Sequence, residues 1–114
     1  MEKIIHVDGK DLKFKATALT PVRYHQKFGS DMIVDISKIT DAFDGKTLPP
    51  HMLEKFGQIA YTMHKQGDPE QPDDWEEWLD QFEIFSIVEV LPQMFELWAM
   101  NTKQTSKQKK SPDR

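Results

Sequence analysis

Four histidines, nineteen acidic side chains and a single Gly-Lys-Thr tripeptide are the groups in this sequence best placed to do chemistry. Gly45-Lys46-Thr47 has the end of a phosphate-binding loop, in which backbone amides cradle an anion and the lysine reaches it. The glycine that opens such a loop would stand at position 40, which is Thr40, and no strand of the right kind precedes it. The match is therefore chance. His6, His25, His51 and His64 are spaced so that no two share a helix face as metal ligands, and neither a His-Glu-x-x-His nor a Glu-x-x-His pair occurs. His51 with Glu54, and His64 near Asp68, read as accidental neighbours on helices. Asp68, Glu70, Asp73, Asp74, Glu76, Glu77 and Asp80 form an acidic cluster that invites calcium. The stretch 68–73 lacks the alternating ligands and central glycine of an EF-hand loop, and its prolines stiffen it. These acids read instead as capping and solubilising charge. With no cysteine there is no thiolate nucleophile, thiolate metal site or disulfide. The residues point to no catalytic group, no metal and no cofactor.

The aromatic side chains offer recognition rather than bond-making. Trp75, Trp78, Phe82, Phe85, Phe95 and Trp98 fall within 24 residues. Core packing explains most such positions, because buried aromatics dominate the energetics of small domains. Some of them can also form a partner-binding surface, where tryptophan, phenylalanine and methionine are enriched, and the chain has six methionines.

The elements that must position these side chains follow from periodicity and punctuation. Lys3 to Val7 and Leu12 to Ala16 alternate apolar with polar around a turn, which predicts a hairpin. A Gly9-Lys10 turn would pair Val7 with Leu12 and Ile5 with Phe14; an Asp8-Gly9 turn would pair Val7 with Lys10, a poorer match. Thr20-Pro21 reads as a helix N-cap and first residue, with Gly29 as the stop. Ser30 or Asp31 caps a second helix carrying Met32, Ile36, Ile39 and Phe43, ended by Asp44-Gly45. After Leu48-Pro49-Pro50, a third helix carries Leu53, Phe56, Ala60 and Met63, with Met52 and Ile59 beside them, and closes at Gly67. Asp73 or Asp74 caps the aromatic helix, whose first turn holds Glu76 and Glu77 near the positive dipole end. From Ile84 to Leu91 the pattern is apolar almost all round, the mark of a segment surrounded by protein. Pro92 predicts a kink or break at Leu91 before the pattern resumes through Met94, Phe95, Leu97 and Trp98.

The expected fold class is mainly α (α+β): an N-terminal β-hairpin followed by four to five packed helices. One domain, 1–101, is expected, with a disordered lysine-rich tail over 102–114. The 114 residues are the size of one ordinary domain and bury roughly two-thirds of the unfolded surface, enough for a core. Lys103, Lys107, Lys109, Lys110 and Arg114 against Asp113 give the tail a charge of +4, so the remaining 101 residues carry −8. A body this acidic repels phosphate backbones and disfavours nucleic acid as a partner. No apolar run approaches the ~18 residues of a membrane span, and the charged amino terminus does not read as a secretory signal. The basic tail reads as a solvated terminus, or as an electrostatic contact with an acidic partner or another copy of the chain.

The ordered set of these segments resembles the tail assembly chaperones of long-tailed phages and prophages of Gram-positive bacteria. The resemblance covers most of the chain. It runs from the hairpin into Phe14-Lys15-Ala16-Thr17-Ala18, then through Tyr24 and Phe28-Gly29-Ser30-Asp31-Met32. It continues with Ala60-Tyr61-Thr62-Met63-His64-Lys65-Gln66 and the acidic Trp75-Glu76-Glu77-Trp78-Leu79. It ends with Val90-Leu91-Pro92-Gln93-Met94-Phe95-Glu96-Leu97-Trp98-Ala99-Met100-Asn101 and the lysine-rich terminus. The resemblance implies a non-enzymatic role in the host bacterial cytoplasm, absent from the mature virion. The implied partners are the tape measure protein, kept soluble by the chaperone, and the tail tube protein that polymerises around it. It also implies a longer frameshifted product, for which A-rich codons at Lys109-Lys110 would serve. The candidate contact residues are Trp75, Trp78, Phe82, Phe85, Leu91, Pro92, Phe95 and Trp98, with the tail lysines as an electrostatic adjunct. The alternative from a different class is a small acidic regulatory adaptor or inhibitor that binds a host protein.

Overall fold

The computed structural model describes residues 1–83, 86–94, 96 and 97. Within them lie an antiparallel hairpin, β1 (Glu2–Val7) and β2 (Lys10–Lys15), then α1 (Leu19–Phe28), α2 (Met32–Ala42), α3 (Pro50–Gly67), α4 (Trp75–Asp80) and α5 (86–94, with 96 and 97 also helical). This is the expected hairpin-plus-helices, α+β architecture.

The hairpin register differs from the one expected. Val7 pairs with Lys10, Ile5 with Leu12 and Lys3 with Phe14, so Asp8 and Gly9 form the turn. Both have positive φ, 52° and 76°, as a type I′ turn requires at its two central positions, and Asp-Gly is a favoured pair there. Turn geometry outweighed side-chain matching. The slip amounts to two residues, so it preserves which face each side chain occupies. Ile5, Val7, Leu12 and Phe14 still bury one face together. Lys3 and Lys10 share that face at its two ends, and both reach across to the last elements: Lys3 Nζ to Glu96 at 2.9 Å and Lys10 Nζ to Gln81 at 3.0 Å.

Helix boundaries mostly obey the capping signals. Gly29 adopts the left-handed conformation that ends α1, and the Asp31 carboxylate accepts from the amides of Ile33 and Val34 to start α2. Helix α1 is the exception. It begins at Leu19, two residues before Pro21, and Thr20 is buried rather than capping. The Thr17 hydroxyl accepts from the Leu19 amide, while the Thr17 amide donates to Thr20 Oγ1. Gln66 of α3 ties this pair down, accepting from Thr20 Oγ1 at 2.6 Å and donating to Thr17 Oγ1 at 2.8 Å.

Helix α3 is the axis on which the other elements are laid. Phe56, Ile59, Ala60 and Met63 are wholly buried, and Met52, Tyr61, Thr62 and His64 nearly so. It packs against β2, α1, α2 and α4, which explains why its buried surface wraps most of the way round. Gly67 at its end sits against the hairpin: a Cβ there would lie 2.3 Å from the Lys13 carbonyl oxygen. Between α1, α2 and α3, the Asp35 carboxylate is 3% exposed and accepts from Tyr24 Oη at 2.7 Å and Ser30 Oγ at 2.6 Å. Burial pushes its pKa up, but those two hydrogen bonds and the Lys55 and Lys38 charges outweigh burial and hold it below the usual carboxylate range. The Tyr24 phenol, buried and hydrogen-bonded to that carboxylate, is pushed well up.

The chain breaks at 81–83 and not at Leu91. Helix α5 runs through Pro92, which is exposed and costs the helix the one hydrogen bond its missing amide would make. The break is held from a distance: Asp8, in the hairpin turn, accepts from the Glu83 amide at 3.0 Å. Hydrogen bonds from Ser86 and from that amide lower the Asp8 pKa. A side chain 75 positions away thus supplies a carboxylate at the start of α5. Ile87, Val90, Leu91, Met94 and Leu97 then bury one stripe of α5 in the core.

Candidate functional site

The loop between α3 and α4 is fastened before the aromatic helix begins. Tyr61 Oη donates to the Pro72 carbonyl at 2.6 Å, and Lys27 Nζ to that of Asp73 at 2.8 Å. Lys65 Nζ reaches the carbonyls of Pro69 and Gln71 and lies 3.0 Å from the Asp73 carboxylate. Asp68 accepts from the Glu70 amide and the Gln71 side chain. Asp74 then caps α4 by accepting from the Glu76 amide. Asp68 and Asp73 of the acidic cluster are thus engaged with the chain's own amides and with Lys65.

Helix α4 points its two tryptophans to different fates. Trp78 has no solvent exposure and donates from Nε1 to His64 Nδ1 at 2.8 Å. It also makes edge contacts with Tyr61, His64 and Phe82, at ring-centroid distances of 5.8, 5.8 and 5.0 Å. Accepting that bond requires a neutral imidazole with its proton on Nε2. Burial holds the His64 pKa down at about 4, with Asp68 opposing only in part. His64 is therefore a buried acceptor that fixes Trp78, and its partner fourteen residues away leaves no local signal in the sequence.

Trp75 is only partly buried. Its ring meets Phe28 edge-on at 6.2 Å, and Phe28 in turn meets Tyr24 at 5.3 Å. Trp75, Leu79 and Phe82 join Leu53 of α3 and Ile87 of α5 as the apolar floor of an open groove of about 770 Å³. Gly57 lets α4 come close enough to build it: a Cβ there would stand 3.1 Å from Leu79 Cδ2 and 3.7 Å from Trp75 Cζ3. Glu76, Glu77 and Asp80 form the edge of the groove.

The sequence candidates separate accordingly. Trp75 and Phe82 line the groove, whereas Trp78 and Leu91 lie in the core beneath it. Pro92 is exposed on a second depression, between the hairpin turn, the 43–46 loop and α5. Phe85, Phe95 and Trp98, with the tail residues Lys103, Lys107, Lys109 and Lys110, lie outside the described residues. Leu79, Leu53 and Ile87 join the groove although periodicity offered them only as core.

Amides of the Gly45-Lys46-Thr47 segment are taken up locally. Asp44 accepts from the amides of Lys46 and Thr47, the donors a phosphate loop would need. Among the described residues no group of three or more His, Cys, Asp or Glu side chains is placed to hold a metal ion, and no helix is long and apolar enough to cross a membrane. No protein-family model, curated protein or solved structure matches the chain.

Proposed function

We propose that this chain is a tail assembly chaperone of the long-tailed phage type, which binds the tape measure protein and holds it soluble until tail tube subunits polymerise around it. The observation that carries the reading is the groove of Trp75, Leu79 and Phe82, a concave apolar strip left partly open beside the core and edged by carboxylates. A tape measure protein presents long amphipathic helices, and helix-in-groove recognition needs a concave apolar strip with a few aromatic anchors. The −8 charge of the body supplies the solubility that a carrier of aggregation-prone helices requires. The ordered resemblance of the segments to that chaperone family supports the same role, with the host cytoplasm as its site of action.

Copurification tests it. A tape measure fragment co-expressed with the intact chain is expected to remain soluble and to elute with it, while a scrambled fragment of equal composition does not. Trp75→Ala, which leaves the core in place, is expected to release the fragment. Equal solubility of fragment and scramble in the presence of the chain would remove the chaperone assignment.

A further inference from the structure

The groove has a charge pattern that narrows what can fill it. Of the eight described side chains that line it, five are apolar, three are carboxylates and none is basic. Glu76, Glu77 and Asp80 are exposed, and none of them has an ion-pair partner among the described residues. This contrasts with the neighbouring Asp73, which has Lys65 at 3.0 Å. Lys10 stands with its ammonium 5.7 Å from the Phe82 ring centre, and that ammonium is already given to Gln81. Three unpaired negative charges beside an apolar strip repel an acidic helix and attract a basic one.

Resting on the reading of this groove as a docking site, we propose that its occupant is a basic amphipathic helix of another protein, with apolar residues seated on Trp75, Leu79 and Phe82 and Lys or Arg opposite Glu76, Glu77 and Asp80. The chain's own basic segment fits less well. Residues 102–114 supply charge but contain no Ala, Val, Ile, Leu, Met, Phe, Trp or Tyr to cover the floor. An occupant needs both chemistries on one face.

Two labelled helical peptides of about 18 residues, with the same leucine face and either lysine or glutamate on their flanks, test this by fluorescence anisotropy with the intact chain. The lysine peptide is expected to bind at least about tenfold more tightly, and to lose most of that advantage between roughly 0.05 and 0.3 M salt. The triple variant Glu76→Gln, Glu77→Gln, Asp80→Asn is expected to abolish the difference. Leu79→Arg is expected to weaken both peptides. If Leu79→Arg weakens both while the triple variant changes nothing, the groove stands and the charge assignment fails. If neither peptide binds, the docking reading fails with it. A full-length chain with Lys103, Lys107, Lys109 and Lys110 changed to Gln is expected to bind the lysine peptide as the wild type does. A rise of about tenfold or more would make the chain's own tail the occupant and overturn the assignment to another protein.

Discussion

Trp75 and Trp78 lie one helical turn apart in the same six-residue helix, and the molecule uses them in opposite ways. Trp78 is enclosed by Tyr61, His64 and Phe82, and its only polar atom is matched by a buried acceptor. Trp75 meets Phe28 edge-on, lies over Gly57 and lines an open groove, only partly buried. A helix of six residues has little stability of its own, so α4 depends on the side that is buried. The difference teaches a division of labour. Trp78 anchors the helix against α3, and that anchorage makes Trp75, Leu79 and the three carboxylates a rigid surface.

The largest effect is expected from removing the anchor. Trp78→Ala should cost about 3–5 kcal/mol by cavity formation and by leaving His64 Nδ1 without a donor, read as a lowered urea midpoint. Trp75→Ala should cost only about 1 kcal/mol on the same scale. Equal costs would erase the contrast between the two rings.

Acid should act through the anchor next. The His64 pKa is lower in the folded chain (about 4) than its ordinary value of 6.5, so between those limits the unfolded state binds the extra proton. Stability is fully present above pH ~6.5 and falls as the pH drops toward ~4, by a total on the order of 3 kcal/mol from this one group. Urea titrations at stepped pH should show that loss, and His64→Gln should flatten it in this window. A wild-type curve that is flat from pH 7 to 5 would mean that His64 is not held neutral.

Smaller effects sharpen the comparison. Trp78→Phe keeps most of the packing but orphans His64 Nδ1, for an expected cost of about 1–3 kcal/mol. Gly57→Ala gains up to about 1 kcal/mol of helix propensity and loses a similar amount by crowding Leu79, so its net effect on stability should be small. It should still weaken groove binding, because Leu79 must shift by a few tenths of an ångström. Thermal unfolding beside peptide titration separates the two.

Much of the fold was legible because its signals are local. Asp31, Asp74 and Gly29 each act within four residues of where they stand, and the chain obeys them. What was illegible depends on distant partners. The Glu83 amide is taken by Asp8, the Lys10 ammonium stands over the Phe82 ring, and Thr20 is drawn inward by Gln66. The hairpin register went to the Asp8-Gly9 turn because two positive φ angles weigh more than the match of Val7 with Leu12. The aromatic cluster was visible as a cluster. Its partition into anchor and groove was not, since His64 and Gly57, which decide it, lie on α3.

Fluorine NMR of the chain labelled with 5-fluorotryptophan tests the central claim most directly, with resonances assigned by single Trp→Phe variants. On adding a tape measure fragment, the Trp75 resonance is expected to shift or broaden with saturation while that of Trp78 stays in place. Saturable binding that leaves Trp75 unmoved would contradict the account, because the partner would then be held somewhere other than the groove.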